Sequence, residues 1–163
     1  MFKNNMYIYI DGGCWPNPGG DMYYAYSVFE NEIKQIMMAT DINQLFESNN
    51  ALEFNVGYSY NRDVESSNNV AEYVALYTAL NNFKFERDSN TIFMCDSLML
   101  VNQMIGKFKV RSGRYESLFN KCINKKYHIE VDNQCNMEFK HTPRENNISG
   151  IALEIFREKF YHN

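Results

Sequence analysis

The alternation of apolar and polar residues predicts several short strands in the first half of the chain. Residues 6–11 (MYIYID) and 21–30 (DMYYAYSVFE) are rich in the aromatic and β-branched residues typical of strands. Residues 33–39 (IKQIMMA) are predicted to form a third strand, which follows a turn at Asn31 and Glu32. Residues 40–66 are less regular, and we expect a short helix near 43–47 and a strand around 52–60.

The second half of the chain alternates helical and strand patterns. From residue 66 (SSNN), apolar residues recur at helical spacing behind a Ser/Asn start signal. Residues 91–96 (TIFMCD) and 135–141 (CNMEFKH) predict strands, and residues 97–106, 113–127 and 147–160 predict helices. Strands followed by alternating helices and strands favour a mixed sheet with helices packed on it.

Length and composition indicate a globular protein with one domain, residues 1–163. Hydrophobic residues make up 45% of the chain and aromatic residues 15%. No apolar run is long enough to span a membrane and no signal-peptide pattern is present, so we expect a cytoplasmic location, in a cell or an infected host, and no membrane partner. The four cysteines lack metal-site spacing and are expected to be free thiols.

The charge distribution is uneven. The net charge is −4, yet seven basic residues lie between Lys107 and Lys126 against a single acid, Glu116. Such a patch is typical of a surface that faces phosphates, although a solvated helix face has the same composition. Both interpretations remain open at this point.

Three carboxylates have positions that suggest a shared site. Two predicted strands end in aspartate, at Asp11 and Asp96, and Glu72 lies in the first turn of the helix that starts near residue 66. Each has a structural explanation, because Asp-Gly often opens a turn and an acid favours a helix N-terminus. If the two strands are neighbours, however, the three side chains meet at one sheet edge and repel one another unless divalent cations hold them. Oxygen ligands of this kind suit Mg²⁺.

Four motifs in order give the chain a family resemblance. They are YIDGGCWPNPGG (residues 9–20), SSNNVAEYVAL (66–76), CDSLMLVNQMIGKFKVR (95–111) and HTPRENN (141–147). Together they resemble the type 1 ribonuclease H family, with its Asp-Gly opening, Asn-Pro-Gly loop, Asn-Asn-x-x-Glu helix start and Asp-Ser step from strand to helix. The resemblance is weakest over residues 40–66, which we take as a candidate insertion.

The resemblance implies an α/β, ribonuclease H-like fold, a five-stranded mixed β-sheet flanked by α-helices. It implies an endonuclease that hydrolyses the RNA strand of RNA–DNA hybrids with two Mg²⁺ ions, or with Mn²⁺, and leaves 5′-phosphate and 3′-hydroxyl ends. Asp11, Glu72 and Asp96 would be the catalytic metal ligands. His141 falls where some members keep a histidine that assists product departure or proton transfer, although a plain polar loop residue is equally consistent.

The resemblance also implies a set of contacts with the hybrid. The backbone around Gly12, Gly13 and Cys14, together with the Glu72 side chain, would contact the 2′-hydroxyl that distinguishes RNA from DNA. The other contacts would come from Asn17 and Asn69 and, on the phosphate backbone, from Lys107, Lys109, Arg111 and Arg114. Trp15 has two open interpretations, which are packing against the glycine loop and stacking on the substrate.

One departure from the family pattern concerns a fourth carboxylate at the start of the last helix. The alignment places Gly150 at the family's alanine and Ile151 at its aspartate. We therefore expect an apolar side chain at the ligand position and weaker binding of the second metal, with Glu154 or Glu145 as candidate substitutes. The departure leaves two alternatives to the hybrid nuclease, a catalytically weakened or inactive hybrid-binding module and a different nuclease on the same fold.

Overall fold

The computed structural model describes residues 4–59, 66–111, 113 and 115–162. Its sheet has the strand order β3-β2-β1-β4-β5. The strands are β1 (Asn4–Trp15), β2 (Asp21–Phe29), β3 (Glu53–Ser59), β4 (Ser89–Cys95) and β5 (Asn136–His141). The β1–β2 and β2–β3 pairs are antiparallel, whereas β1–β4 and β4–β5 are parallel. The predicted five-stranded mixed sheet is confirmed.

Five helices flank the sheet in the described part of the chain. They are α1 (Ile42–Ser48), α2 (Asn68–Asn82), α3 (Leu98–Met104), α4 (Glu116–Asn133) and α5 (Ile148–His162). Three of them begin at side-chain caps, in which Asp41, Ser67 and Ser97 accept hydrogen bonds from backbone N–H groups three residues later. Such caps satisfy donors that the first helical turn leaves free, which is why these helices begin close to the predicted residues.

Strand alternation divides the core into two layers. Ile8 and Ile10 of β1 pack on one face of the sheet, in the cluster that contains Leu76 of α2 and Leu100 of α3. Tyr9 points to the other face, in the cluster of α1 and α5 residues. Burial of each side chain of this size contributes about 1.5–3 kcal/mol to the stability of the folded state. Among the described residues, no helix is long and apolar enough to cross a membrane.

The prediction of a strand at residues 33–39 is wrong. These residues form an irregular segment after β2, with Met37 and Met38 63% and 69% exposed. The physical reason is that both edges of β2 are already taken, one by β1 and the other by β3. Residues 33–39 therefore have no free edge of β2 to pair with. The Asn49 side chain instead accepts a hydrogen bond from the Met37 N–H and donates one to the Met37 carbonyl.

The segment 40–66 contributes to this sheet. Residues 42–48 form α1 and residues 53–59 form β3, close to the helix and strand predicted there, while residues 60–65 lie outside the described residues. The interpretation of 40–66 as an insertion, and of 1–163 as one domain, stays a prediction.

A close backbone approach fixes α2 against β1. A Cβ atom added at Gly12 would lie 2.2 Å from the carbonyl carbon of Ala71 and 2.5 Å from the backbone nitrogen of Glu72. No side chain larger than hydrogen fits between these two backbones. The glycine after Asp11 thus lets α2 bring Glu72 next to the end of the β1 core segment.

We predict that Gly12→Ala destabilises the protein by about 1–3 kcal/mol or more, because the added methyl group meets backbone that cannot move independently. Gly57→Ala on the edge strand β3 is the matched control, since the atoms nearest its added Cβ belong to the outer end of the half-buried Tyr24 side chain, which shifts more readily than backbone. Urea unfolding followed by circular dichroism measures both free energies of unfolding. Equal losses in the two variants would contradict the role given to the Gly12 approach.

Candidate active site

Parallel strand pairing brings two aspartates to one edge of the sheet. The register of β1 and β4 pairs Ile10 with Cys95, so that Asp11 and Asp96 are the next residues on neighbouring strands. Both face Gly150 of α5, where an added Cβ would lie 3.0 Å from Asp11 Oδ2 and 3.7 Å from Asp96 Oδ2. Glu72 joins them in lining one cleft of about 260 Å³.

The electrostatics of this cluster are unfavourable without a cation. Burial raises the pKa of Asp11 well above its usual range, and the charges of Asp96 and Glu72 raise it further. Burial raises the pKa of Glu72 to about 7, against a lowering by the Ser97 hydroxyl. The pKa of Asp96 is also raised by burial. Burial and mutual repulsion thus disfavour the ionised forms of all three acids, and a cation bound beside them would relieve this cost.

The nearest cation in the cleft does not neutralise the cluster. Arg144 lines the cleft and lowers the pKa values of the three acids. Its side chain is 77% exposed, however, and its Nε lies 3.7 Å from Glu154 Oε1. An exposed, already paired guanidinium is a weak partner for buried carboxylates, because solvent screens it.

The donor chemistry fits a hard divalent cation. All three acids offer oxygen ligands, which Mg²⁺ and Mn²⁺ prefer. No three His, Cys, Asp or Glu side chains among the described residues are already close enough together to enclose an ion. Mg²⁺ usually binds through one or two carboxylates and keeps several waters, so a partly open arrangement of this kind still suits it.

Asn147 holds the cluster in place from the start of α5. Its side chain is fully buried, and its Nδ2 donates to the Ile10 carbonyl at 2.9 Å and to Asp96 Oδ2 at 3.4 Å. Its Oδ1 has no hydrogen-bond partner within the described residues. In the sequence Asn147 served only to align a motif, whereas the structure shows that it ties β1 and Asp96 to α5.

The expectation that the Ile151 side chain occupies the fourth ligand position is wrong. Ile151 is 9% exposed and belongs to the apolar cluster that contains Tyr9 and Phe46. Gly150 faces the carboxylates instead. Successive helical residues point about 100° apart, so a one-residue difference in alignment moves a side chain from the cleft into the core.

Of the two candidate substitutes, one reaches the cleft. Glu154 lies one turn beyond Gly150, lines the cleft and is 63% exposed in its side chain. Glu145 lies in a 3₁₀ turn (Arg144–Asn146) and does not line the cleft. Glu154 is therefore the candidate that shares the cleft with the acids, although it is paired with Arg144.

His141 lies beside the site. It is the last residue of β5, is paired in register with Cys95, and is exposed. It is near enough to lower the pKa of Asp96. It does not line the cleft, so any role in proton transfer would act at the rim.

Most of the predicted substrate-contacting residues line connected depressions. Gly12, Gly13, Cys14 and Asn17 line the cleft itself. Asn69 lines a neighbouring depression. Asn17 and Asn68 line both this depression and the cleft, and Tyr115 lines both this depression and a third groove. That third groove is lined by Lys107, Lys109 and Arg111 and by the exposed Phe108. Arg114 lies outside the described residues.

Sequence analysis missed several cleft residues. Asn68 accepts a hydrogen bond from the Cys14 N–H at 2.8 Å and donates its own backbone N–H to Asn17 Oδ1 at 3.0 Å, which joins the loop after β1 to the start of α2. On α5 sequence analysis also missed Leu153 and Arg157, which line the cleft beside Gly150 and the already named Glu154. Their spacing of three and four residues, typical of one helix face, is the signal that could have found them.

Comparisons with known proteins bear on the family and the fold. A family model described as reverse transcriptase-like matches residues 53–153. LC11-RNase H1, isolated from compost by a metagenomic approach, is 29% identical, with 94% of this chain and 93% of that chain covered and a TM-score of 0.68. Its complex with an RNA/DNA hybrid gives 27% identity, 87% and 88% coverage and a TM-score of 0.61.

A third solved structure supports the fold alone. The N-terminal RNase H domain of rv2228c from Mycobacterium tuberculosis, solved as a fusion with maltose binding protein, is 20% identical, with 96% and 99% coverage and a TM-score of 0.65. Both the family match and these neighbours agree with the five-stranded mixed sheet described above. The chain therefore belongs to the reverse transcriptase-like family and has the fold of the type 1 ribonucleases H.

Proposed function

We propose that this protein is an endonuclease that hydrolyses the RNA strand of RNA–DNA hybrids. The observation that carries the proposal is the acidic cluster, in which Asp11, Glu72 and Asp96 line one cleft and have raised pKa values. The likeness to LC11-RNase H1, whose structure was solved in complex with an RNA/DNA hybrid, supports the choice of substrate.

In this proposal the three acids hold two Mg²⁺ ions, with Mn²⁺ as the alternative. When bound, such ions lower the pKa of water and stabilise the charge that develops on a leaving oxygen. The Asn147 amide keeps Asp96 oriented, and Arg144 offsets part of the negative charge of the cluster. The products would be a 5′-phosphate and a 3′-hydroxyl, with His141 at the rim where a product leaves.

The connected depressions give the hybrid a path across the surface. Backbone at residues 12–14 would contact the ribose 2′-hydroxyl next to the acids. The groove lined by Lys107, Lys109 and Arg111 would bind backbone phosphates of the duplex without reading its bases. Little sequence preference is expected, because these contacts are to sugar and phosphate.

A second candidate function follows from Gly150. Its position next to Asp11 and Asp96 carries no carboxylate, and a weakened metal site would leave a module that binds hybrids without cutting them.

The assay that separates the two candidate functions uses a hybrid labelled on its RNA strand, first in Mg²⁺ and then in Mn²⁺, with duplex RNA and duplex DNA as comparison substrates. Cleavage of RNA in the hybrid alone supports the nuclease. Tight binding without cleavage by folded protein favours the module, and cleavage of duplex DNA points to a different nuclease on this fold.

We predict that Asp11→Asn lowers the single-turnover rate constant for hybrid cleavage by at least about 10³-fold, since a lost ligand removes several kcal/mol of transition-state stabilisation. Glu158→Gln, an exposed change on α5, is the matched control for the loss of one negative charge. Single-turnover cleavage in Mg²⁺ measures both. Retention of activity by the Asp11→Asn variant would remove the acid from the proposed mechanism.

We further predict that Asp11→Asn raises the thermal unfolding midpoint in chelator. The change removes a buried negative charge from a repulsive cluster, and about 1 kcal/mol corresponds to about 2–4 °C in a chain of this size. Mg²⁺ should raise the midpoint of the natural protein and leave that of the variant nearly unchanged. Differential scanning calorimetry measures both effects, and a lower midpoint for the variant in chelator would contradict the repulsion.

We also predict opposite outcomes for two substitutions on α5. Gly150→Asp adds a carboxylate beside Asp11 and Asp96 and should tighten Mn²⁺ binding by about tenfold, the scale of well-placed partners at metal sites. Ile151→Asp, which the alignment would suggest, buries a charge among Tyr9 and Phe46 and should cost more than about 3 kcal/mol of stability. Calorimetric Mn²⁺ titration and urea unfolding distinguish them, and a folded Ile151→Asp variant with tighter Mn²⁺ binding would reverse the assignment.

A further inference from the structure

We propose that Trp15 and Arg157 form a composite binding element for a backbone phosphate of the hybrid, on the wall of the cleft outside the acidic cluster. The inference rests on the proposed function and adds a substrate-contacting pair to it. Both side chains line the same cleft as Asp11. The guanidinium carbon of Arg157 lies 4.5 Å from the centre of the Trp15 ring.

Backbone packing holds Trp15 at the mouth of the cleft. It is the last residue of β1 and is 47% exposed. A Cβ atom at Gly20 would lie 2.2 Å from the Trp15 carbonyl carbon, and the Gly20 N–H donates to the Pro16 carbonyl at 2.8 Å. The loop that follows is also joined to the start of α2, because the Gly19 N–H donates to the Ser66 carbonyl at 2.8 Å. A large exposed indole on such an anchored loop needs a reason beyond core packing.

Arg157 is held from the opposite side by α5. Leu153, one turn earlier, is 3% exposed and packs in the cluster of Tyr23, against which Phe156 also packs. These contacts fix the helix face from which Arg157 projects into the cleft. No carboxylate pairs with Arg157 within the described residues, in contrast to Arg144, which is paired with Glu154.

A guanidinium that lies over an indole ring can still bind an oxyanion ligand. Arginine presents its N–H donors in the plane of the group, so stacking on an indole occupies its face and leaves its edges free. Those edges match the spacing of phosphate oxygens. The acids repel a phosphate until cations bind, whereas Arg157 lines the same cleft and has no carboxylate partner among the described residues, so it can bind a phosphate next to the acids. If the pair had only a packing role, it would tie the β1 loop to α5 and contribute nothing to binding.

The first test uses the natural protein. The chain contains a single tryptophan, so intrinsic tryptophan fluorescence reports Trp15 alone. We titrate unlabelled RNA–DNA hybrid in chelator, where no cleavage occurs, and expect a saturable change of emission with the same midpoint as the anisotropy of a labelled hybrid. The labelled hybrid reports binding independently of Trp15.

The second test compares variants by anisotropy at several salt concentrations. Arg157→Ala should weaken hybrid binding by about tenfold and reduce the slope of log affinity against log salt by about one, as expected for one lost phosphate contact. Trp15→Ala should weaken binding by several fold, with Trp15→Phe closer to the natural protein. Arg87→Ala is the matched control, since Arg87 is exposed and precedes the start of β4, at the end of that strand away from Asp96.

The outcomes separate this inference from the proposed function. The proposed role of the pair is overturned if Arg157→Ala binds the hybrid as tightly as Arg87→Ala does, or if tryptophan emission does not change at saturating hybrid. If the natural protein still cleaves the hybrid, the nuclease proposal stands. Failure of the natural protein to bind the hybrid both in chelator and with Mg²⁺ present overturns both. Circular dichroism of each variant confirms its fold, and the emission test needs no variant.

Discussion

The parallel pairing of β1 with β4 is the constraint on which the site depends. Because the two strands run in the same direction and Ile10 is paired with Cys95, the residues that follow them emerge at one sheet edge. An antiparallel pairing would send Asp11 and Asp96 to opposite ends. Glu72 reaches the same place because a glycine after Asp11 lets α2 approach the β1 backbone closely.

This arrangement is held together against its own electrostatics. Burial and repulsion between the acids raise the pKa values of Asp11 and Glu72, so the folded chain keeps together groups that would separate in water. Two apolar layers, one on each face of the sheet, supply the opposing stabilisation. The rigidity of the acidic cluster therefore comes from packing of many more residues than the site itself contains.

The last helix, α5, and the turn before it set the charge of one wall of the cleft. Gly150 faces the acids with no side chain, Glu154 is paired with Arg144, and Arg157 lies over the Trp15 ring. Together with Arg144 of the preceding 3₁₀ turn, this wall carries two positive charges and one negative charge next to the cluster of acids. The proposed ligand, a nucleic acid that binds together with divalent cations, would complement both the acids and these arginines.

Local pattern was enough for the elements and for part of the site. Strand alternation in residues 6–11 and 91–96 and the capped helix start before Glu72 are properties of short stretches, because side-chain period and cap chemistry act over a few residues. The three acids could be named for the same reason, since each ends or begins such an element. The prediction that these acids share one site, however, depended on the family resemblance.

Tertiary structure decided everything that depends on which surfaces meet. Residues 33–39 look like a strand, but both edges of β2 were already occupied, and sheet pairing is settled between distant segments. Gly150, and not Ile151 as the alignment predicted, faces the acids, because consecutive helical residues point about 100° apart and one of them faces the cleft while the next faces the core. Trp15 and Arg157 lie far apart in sequence, and their contact exists only once β2 and α5 have packed. The sequence by itself determined which residues could do chemistry, and the folded chain decided which of them share a site, because proximity arises from packing between elements and leaves no mark on local spacing.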